Sequence, residues 1–137
     1  MTAVAEMINA YPAELGQVDR DVLVRCIEEC LSCAQVCTAC ADACLSESDH
    51  HLAMLRKCIR SDEDCADICN TTARILSRHT GYDANITRTV LQTCATVCRS
   101  CGDECARHAS RHEHCRVCAE ACHRCEQACQ ELINALG

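Results

Sequence analysis

Apolar and thiol side chains recur at helical spacing along most of this chain, and the first long stretch shows the pattern best. It carries Cys26, Cys30, Cys33, Cys37, Cys40 and Cys44, which step by 4, 3, 4, 3 and 4 residues. Side chains at this spacing lie along one side of an α-helix. The pattern therefore predicts a long helix whose inward side consists largely of cysteine.

Three later stretches repeat this pattern with different numbers of thiols. Two of them carry Cys94, Cys98, Cys101 and Cys105, and Cys115, Cys118, Cys122, Cys125 and Cys129. The stretch between residues 49 and 78 carries His51, Leu55, Cys58, Asp62, Cys65, Cys69, Thr72 and Leu76 in heptad register, with only three thiols. No segment alternates polar and apolar residues with a period of two, so we predict no sheet.

Capping and turn residues set the limits of the predicted long helices. Asp19 caps a helix that runs to about residue 45, and a polar turn at 46–49 leads into a second helix that reaches about residue 78. Gly81 ends that helix, and Asp83 caps a third that lasts to about residue 109. Ser110 and Glu113 have the spacing of a capping box and open a fourth helix that ends near residue 136.

The predicted fold is all-α. Four helices of similar length joined by short turns indicate an antiparallel up-down-up-down four-helix bundle. Residues 3–10 predict a short extra N-terminal helix, which Pro12 and Gly16 terminate and which packs across one end of the bundle. We expect a single domain over residues 1–137, of which 1–16 form the N-terminal helix and linker.

Composition makes cysteine a core residue. The 137 residues include 18 cysteines, two tyrosines and no phenylalanine or tryptophan, so ordinary hydrophobic side chains are too few to fill a core. Free cysteine behaves as a small buried hydrophobe and can supply the missing volume. The net charge of −7, from 13 Lys+Arg and 20 Asp+Glu, argues against nucleic acid or an anionic membrane as the main partner.

The compartment determines how so many thiols should be interpreted. The N-terminus shows no basic start followed by a long apolar run, and no segment approaches the length of a membrane span, so we expect a cytoplasmic protein. The cytosol keeps thiols reduced. The cysteines therefore indicate metal or redox chemistry rather than a disulfide scaffold.

Ligand softness and charge favour copper among the possible metals. Thiolates select Cu(I), Zn and iron–sulfur clusters. Zinc on roughly four thiolates each would leave about one uncompensated negative charge for every two cysteines, whereas about one Cu(I) per thiolate leaves the core nearly neutral. We predict that multiple Cu(I) ions bind to the 18 cysteines, releasing about one proton each.

The histidines distinguish one end of the predicted bundle from the other. The predicted topology places two turns at the same end, which gathers His50, His51, His108, His112 and His114 at one mouth with Met54 one turn inside it. We interpret this mouth as the place where Cu(I) enters and leaves, with His108, His112 and His114 as candidate ligands. Asp62 falls in a core layer, where it could hydrogen-bond thiols or contact copper.

Several other functions stay open from the residues alone. No open coordination position beside a nucleophile or an acid–base pair is visible, so we expect no enzyme. A zinc protein, a thiol redox protein, an iron–sulfur protein and a disulfide-stapled bundle are the alternatives. Disulfides between positions i and i+4 would stabilise little, and the bacterial iron–sulfur cysteine run is absent.

The cysteine segments resemble the bacterial copper storage proteins, specifically their cytosolic branch. The matching segments are CIEECLSCAQVCTACADAC, CADIC, CATVCRSCGDEC and CRVCAEACHRCEQAC on the four long helices and RHASRHEHC at 107–115, within about residues 19–136. The resemblance implies a Cu(I)-filled bundle with cysteine ligands, histidines at the open end and assembly into a homotetramer. It further implies copper storage or sequestration, with a copper chaperone or a small thiol as a possible exchange partner.

Overall fold

A computed structural model describes residues 1–136 of the chain and contains six α-helices within them. The helices are α1 (Ala3–Asn9), α2 (Arg20–Leu45), α3 (Asp49–Met54), α4 (Arg56–Leu76), α5 (Ala84–Ala106) and α6 (Glu113–Leu136). Residues 1–136 form no strand, which confirms the all-α fold class. Gly137, the last residue of the predicted domain, lies outside the described residues.

The predicted caps of two long helices are confirmed. The Asp19 side chain accepts hydrogen bonds from the backbone N–H groups of Asp21 and Val22 at 2.9 and 3.3 Å. The Asp83 side chain accepts one from the N–H of Asn85 at 2.9 Å. These carboxylates satisfy backbone donors that the first turn of a helix leaves without an intrahelical partner.

The predicted second long helix is interrupted. Leu55 separates α3 from α4 and has φ −98° and ψ 3°, outside the helical region, while its side chain is fully buried. At this interruption the Leu55 side chain lies in the core, whereas the His51 side chain on α3 is 41% exposed. Helix α4 then ends at Leu76, two residues earlier than predicted.

The predicted capping box at Ser110 is wrong. Helix α5 ends at Ala106 instead of residue 109, and α6 begins at Glu113. Residues 107–111 instead form a tight turn with backbone hydrogen bonds such as Arg111 N–H to the His108 carbonyl. The Glu113 carboxylate pairs with Arg116 one turn ahead, so it does not reach back to cap the helix.

Four long helices enclose one core. Helix α2 packs against α4 and α6, and α5 packs against the same two helices, so that the four close a ring. All 18 cysteines are buried, with exposures of 0–2%. Thiols therefore fill the volume that leucine and isoleucine fill in an ordinary bundle.

Ordinary hydrophobic residues close the end of the bundle near the N-terminal segment. Leu23, Leu76 and Leu132 are buried there and line one common cavity. Helix α1 packs on α2 and buries Ile8, and the Tyr11 hydroxyl lies 3.0 Å from the Thr80 hydroxyl. This end is therefore covered by apolar packing.

The predicted register of the second long helix is confirmed from Leu55 onward. It is wrong for His51, the first predicted inward position, whose side chain lies on α3 and is 41% exposed. The predicted inward positions that begin at Leu55 are all buried. They are Leu55, Cys58, Asp62, Cys65, Cys69, Thr72 and Leu76. Among residues 1–136, no helix combines the length and hydropathy needed to span a bilayer.

Candidate metal centre

Sulfur atoms from facing helices pair at regular intervals along the core. Between α2 and α6 the Sγ–Sγ distances are 3.8 Å for Cys26–Cys129, 3.6 Å for Cys30–Cys125, 3.8 Å for Cys33–Cys122 and 3.7 Å for Cys37–Cys118. Between α4 and α5 they are 3.4 Å for Cys58–Cys105, 3.8 Å for Cys65–Cys98 and 3.9 Å for Cys69–Cys94. We call the 18 buried cysteine sulfurs, to which these pairs belong, the sulfur ladder.

The two sides of the sulfur ladder also contact each other. Cys33 Sγ lies 3.9 Å from Cys65 Sγ, and Cys69 Sγ lies 3.9 Å from Cys125 Sγ. These cross-contacts make the thiols one continuous network around the bundle axis. An ion bound on one side is therefore within reach of sulfur from the other.

The spacing suits shared metal ions. With metal–sulfur bonds of about 2.3 Å, two sulfurs that hold one ion lie up to about 4.6 Å apart, so each of these pairs can bridge an ion without backbone movement. Groups of four ligand atoms within 4.8 Å of one another include Cys30, Cys94, Cys125 and Cys129; Cys33, Cys65, Cys69 and Cys98; and Cys37, Cys101, Cys118 and Cys122. All of the cysteines are free thiols.

Hydrogen bonds between neighbouring thiols raise the pKa of some cysteines in the sulfur ladder and lower the pKa of others, such as Cys33 and Cys94. Hydrogen bonding with Cys125 is the largest effect that raises the pKa of the Cys98 thiol, and burial raises it further. The pKa of Cys30 is raised for the same two reasons. Thiolates are the metal ligands, so metal binding here must displace protons.

Asp62 interrupts the thiols of α4 with a carboxyl group inside the core. Its Oδ1 accepts hydrogen bonds from the thiols of Cys101, Cys105 and Cys118 at 3.2, 3.3 and 3.1 Å, whereas Oδ2 has no hydrogen-bond partner. Burial, followed by the nearby Cys118 and Cys101 sulfurs, raises the pKa of Asp62 to about 11. Thiols are weak hydrogen-bond donors, so their bonds to Oδ1 stabilise the carboxylate less than burial destabilises it. Asp62 is therefore neutral in the folded protein at pH 7.

His114 joins the sulfur ladder to the surface at the end opposite α1. Its Nδ1 lies 3.4 Å from Cys40 Sγ and 3.6 Å from Cys115 Sγ, and the four side chains of Cys40, Cys44, His114 and Cys115 form a potential metal-binding group. The opposite ring nitrogen, Nε2, lies 3.3 Å from Glu47 Oε1. His114 therefore faces the thiols with one nitrogen and a carboxylate with the other.

Glu47 gathers three histidines around one carboxylate. Its Oε2 lies 3.3 Å from His112 Nδ1 and 3.6 Å from His51 Nδ1, in addition to the contact between Oε1 and His114. Desolvation opposes ionisation of Glu47, but the hydrogen bond with His114 and the nearby His112 outweigh it and lower the pKa of its carboxyl. We call Glu47, His51, His112 and His114 the mouth cluster.

The other predicted mouth residues lie beside the mouth cluster or apart from it. The ring centroids of His50 and His51 are 5.8 Å apart. His108 Nε2 lies 3.0 Å from Glu104 Oε2, so this histidine contacts a carboxylate of its own. Met54, which was predicted one turn inside the mouth, is 48% exposed.

Sequence reasoning missed Glu47 and Glu104. Each glutamate stands four residues before a histidine, His51 or His108. For Glu104, which lies on a predicted helix, this i, i+4 spacing was the available signal, whereas Glu47 lies in a turn and gave none. The structure adds that Glu104 is only 7% exposed and that Glu47 contacts two further histidines from a distant part of the chain.

The sequence matches a protein-family model described as copper storage protein over residues 19–134. The chain belongs to this family. Its structure is similar to that of the copper storage protein Ccsp from Streptomyces lividans loaded with 10 copper equivalents, with a TM-score of 0.95 and 69% identity, over 97% of this chain and 99% of the other. The predicted family, its copper storage function and its use of multiple Cu(I) ions are thereby confirmed.

Two more distant relatives support the same family. Cu(I)-bound BsCsp3, a copper storage protein from Bacillus subtilis, is 37% identical with a TM-score of 0.69, over 78% of this chain and 93% of that one. An uncharacterized cysteine-rich protein of Bacillus subtilis, YhjQ, is 38% identical over 108 residues, which cover 78% of this chain and 92% of the relative.

Proposed function

We propose that this member of the family stores Cu(I) on the thiolates of all 18 cysteines, with His108, His112 and His114 as further ligands at the mouth. The observation that carries the proposal is the continuous sulfur ladder, whose facing sulfurs lie 3.4–3.9 Å apart in a fully buried core. The four folded helices hold these thiols close together before copper binds, so that Cu(I) ions replace the thiol protons without a change of fold.

Charge compensation favours Cu(I) over zinc in this core. Divalent ions on about four thiolates each would leave buried negative charge, and buried charge without a partner costs several kcal/mol. About one Cu(I) per thiolate avoids that cost. In the metal-free protein Asp62 adds no charge to the core, because burial keeps its carboxyl protonated.

We infer that the chain is one domain whose four long helices alternate in direction. Cys26 near the start of α2 pairs with Cys129 near the end of α6, while Cys37, further along α2, pairs with Cys118. The pairs Cys58–Cys105 and Cys69–Cys94 relate α4 and α5 in the same opposed manner. These pairs support an up-down-up-down arrangement within the predicted domain.

The mouth cluster marks the proposed route for copper. His114 contacts Cys40 and Cys115 on the inside, while His51 is 41% exposed on the outside. Leucines and α1 cover the opposite end. Imidazole binds Cu(I) less tightly than thiolate does, so ions would pass inward from histidine to sulfur.

Anaerobic titration with Cu(I) against a competing chelator tests storage. We expect saturation at roughly one Cu(I) per thiolate, well above ten ions per chain, with about one proton released per ion. The apparent affinity should therefore fall as the pH is lowered. Saturation at one or two ions would contradict storage, and a preference for about four or five zinc ions would favour the zinc alternative.

We propose that the protein acts as a cytoplasmic binding protein without catalytic activity. Its net charge of −7 opposes binding to nucleic acid and to anionic membranes. The mouth histidines would be the surface from which a copper chaperone or a small thiol takes the ion. Such exchange requires no reaction beyond ligand replacement.

We propose further that the chain assembles into a homotetramer, as the family resemblance implies. A shallow groove between α2 and α4 is lined by small residues such as Ala34 and Ala39, with Leu31 beside them at 43% exposure. Small residues let helices of two copies approach closely. We expect sedimentation equilibrium to give a mass near 60 kDa rather than 15 kDa; a monomer mass at micromolar concentration would contradict the tetramer.

A further inference from the structure

Basic side chains gather beside the mouth, on the side of the bundle formed by α4 and α5. Arg56 and Lys57 begin α4, while Arg107 and Arg111 stand at the two ends of the turn that follows α5. Lys57 Nζ and an Arg107 guanidinium nitrogen lie 3.9 and 3.8 Å from the same oxygen of Glu104, so the start of α4 adjoins the end of α5. We call Arg56, Lys57, Arg107 and Arg111 the basic rim.

The basic rim carries more positive charge than its contacts neutralise. Among residues 1–136, Arg56 and Arg111 pair with no carboxylate, and the contacts of Lys57 and Arg107 with Glu104 are longer than the usual 2.7–2.9 Å or so of a charge-assisted hydrogen bond. The Lys57 and Arg107 side chains are 75% and 72% exposed. The rim and Glu104 together have a formal charge of +3, whereas the remaining 9 Lys+Arg and 19 Asp+Glu give −10. A small anion that approaches this acidic protein is therefore attracted to the rim.

Acidic side chains elsewhere at this end offset the rim only in part. Glu47 contacts the three histidines of the mouth cluster, and the Glu113 carboxylate pairs with Arg116. Asp49 is exposed at the start of α3 and forms no ion pair within residues 1–136. One unpaired carboxylate leaves the rim with a net positive charge.

The basic rim adjoins sulfurs that only a small molecule can reach. Cys58 directly follows Lys57, and Cys105 precedes Arg107 by two residues. Their Sγ atoms are 3.4 Å apart, and both side chains are fully buried. Of the sulfur pairs between α4 and α5, this one lies nearest the mouth. A ligand that takes Cu(I) from it must pass between rim side chains, which a small thiol can do and the surface of a folded protein cannot.

We propose that the basic rim binds the carboxylate of a small anionic thiol and so directs this thiol to Cu(I) held by Cys58 and Cys105. The inference rests on the proposed storage of Cu(I) and names the chemical class of its exchange partner. Arginine suits this role because its guanidinium binds a carboxylate through two parallel hydrogen bonds. In the exchange the thiol sulfur bonds to Cu(I), the bond between Cu(I) and the cysteine sulfur breaks, and the proton of the incoming thiol passes to the cysteine. No electron is transferred, so copper stays monovalent.

Three small thiols of different charge test the proposal on protein loaded with Cu(I). At pH 7, 3-mercaptopropionate is anionic, 2-mercaptoethanol is neutral and cysteamine is cationic. Each is added without oxygen and at low ionic strength, with the chelator bicinchoninate as the coloured final acceptor of Cu(I). The measured quantity is the rate of copper transfer that the thiol adds to the rate with chelator alone. Each variant is compared with the wild type for the same thiol, which removes differences in intrinsic thiol reactivity.

A double variant, Arg56→Gln with Arg111→Gln, removes two rim charges without breaking an ion pair. We expect its thiol-dependent rate to fall at least about threefold with 3-mercaptopropionate, to stay unchanged with 2-mercaptoethanol and to rise at least about twofold with cysteamine. In about 0.5 M salt these changes should shrink below about 1.5-fold, because salt screens exposed charges. The matched control is Arg74→Gln with Arg78→Gln, which removes two exposed arginines at the opposite end of α4. The control should leave all three rates unchanged.

Three results would overturn the proposal. They are an unchanged rate with 3-mercaptopropionate in the rim variant, the same change with all three thiols, and the same change in the control variant. Binding of an acidic protein to the rim, with no effect of thiol charge, would assign the rim to a different partner and would also overturn it. Copper titration separates this test from storage, since the rim variant should keep the full Cu(I) capacity whichever thiol result is obtained.

Discussion

We expect the triple replacement of Cys69, Cys98 and Cys125 by alanine to lower the Cu(I) capacity by at least about three ions per chain. Cys69 Sγ lies 3.4 Å from Cys98 Sγ and 3.9 Å from Cys125 Sγ, so the three sulfurs form one cluster drawn from three helices. At about one Cu(I) per thiolate, each missing sulfur removes one ion, and shared ions are lost in addition. Anaerobic titration against a Cu(I) chelator measures the loss.

The same triple variant should also destabilise the metal-free protein. Each alanine removes a buried sulfur and leaves a small cavity, which costs roughly 1 kcal/mol per site. The control is Thr72→Val, which changes a fully buried side chain one turn along the same stripe of α4 without removing sulfur. Thr72→Val should keep the full copper capacity. An unchanged capacity in the triple variant would show that these sulfurs do not bind copper.

Asp62→Asn should stabilise the metal-free protein at neutral and alkaline pH, by about 1–3 kcal/mol at pH 8. Asp62 is fully buried, and its pKa of about 11 in the folded protein exceeds the value of about 4 of an unfolded chain. Between these two values the unfolded chain binds fewer protons than the folded one. The free energy of unfolding therefore falls as pH rises from about 4 to about 11, and asparagine removes this contribution.

Urea unfolding of the reduced, metal-free proteins at pH 5, 6.5 and 8 measures this effect. The stability difference between Asp62→Asn and the wild type should grow with pH, by at most about 1.4 kcal/mol per pH unit. The control is Asp67→Asn, at an exposed aspartate of the same helix, which should show no such trend. Thiols that do not contact Asp62 titrate alike in all three proteins, so their contribution cancels in the difference. A constant difference, or a more stable wild type at pH 8, would contradict a neutral buried Asp62.

Helix formation and register followed directly from the spacing of the cysteines. The predicted inward positions of α4 included a leucine, an aspartate and a threonine besides thiols, and Leu55, Asp62 and Thr72 are all fully buried. The register was readable because side chains at steps of three and four must share one side of a helix. The local chemistry of single residues, such as a carboxyl group at position 62, did not obscure it.

Helix ends were less predictable where tertiary contacts compete with local signals. Ser110 and Glu113 have the spacing of a capping box, yet Glu113 pairs with Arg116 and α6 begins at Glu113 itself, three residues after the predicted cap. Leu55 likewise follows the heptad pattern, but burial of its side chain coincides with a break between α3 and α4. Capping energies of about 1 kcal/mol are easily outweighed by such packing.

The mouth cluster was only partly visible in the sequence. Short turns at one end explain why His51, His112 and His114 were expected together, and the structure places them around one carboxylate. The contribution of Glu47 was not foreseen, and His108 contacts Glu104 instead of the cluster. Which nitrogen faces sulfur and which faces oxygen depends on side-chain rotation, and helical periodicity carries no information about it.

The sequence by itself determined that four helices bury cysteine and that the thiols are numerous enough to hold many soft, monovalent ions. These conclusions need only the periodicity of an α-helix and the chemistry of sulfur. The tertiary structure alone decided which sulfurs face each other at 3.4–3.9 Å, that Asp62 is neutral among three thiols, and that Glu47 joins three histidines. Distances between helices arise from packing across the bundle, and residues far apart in the chain meet only when that packing is complete.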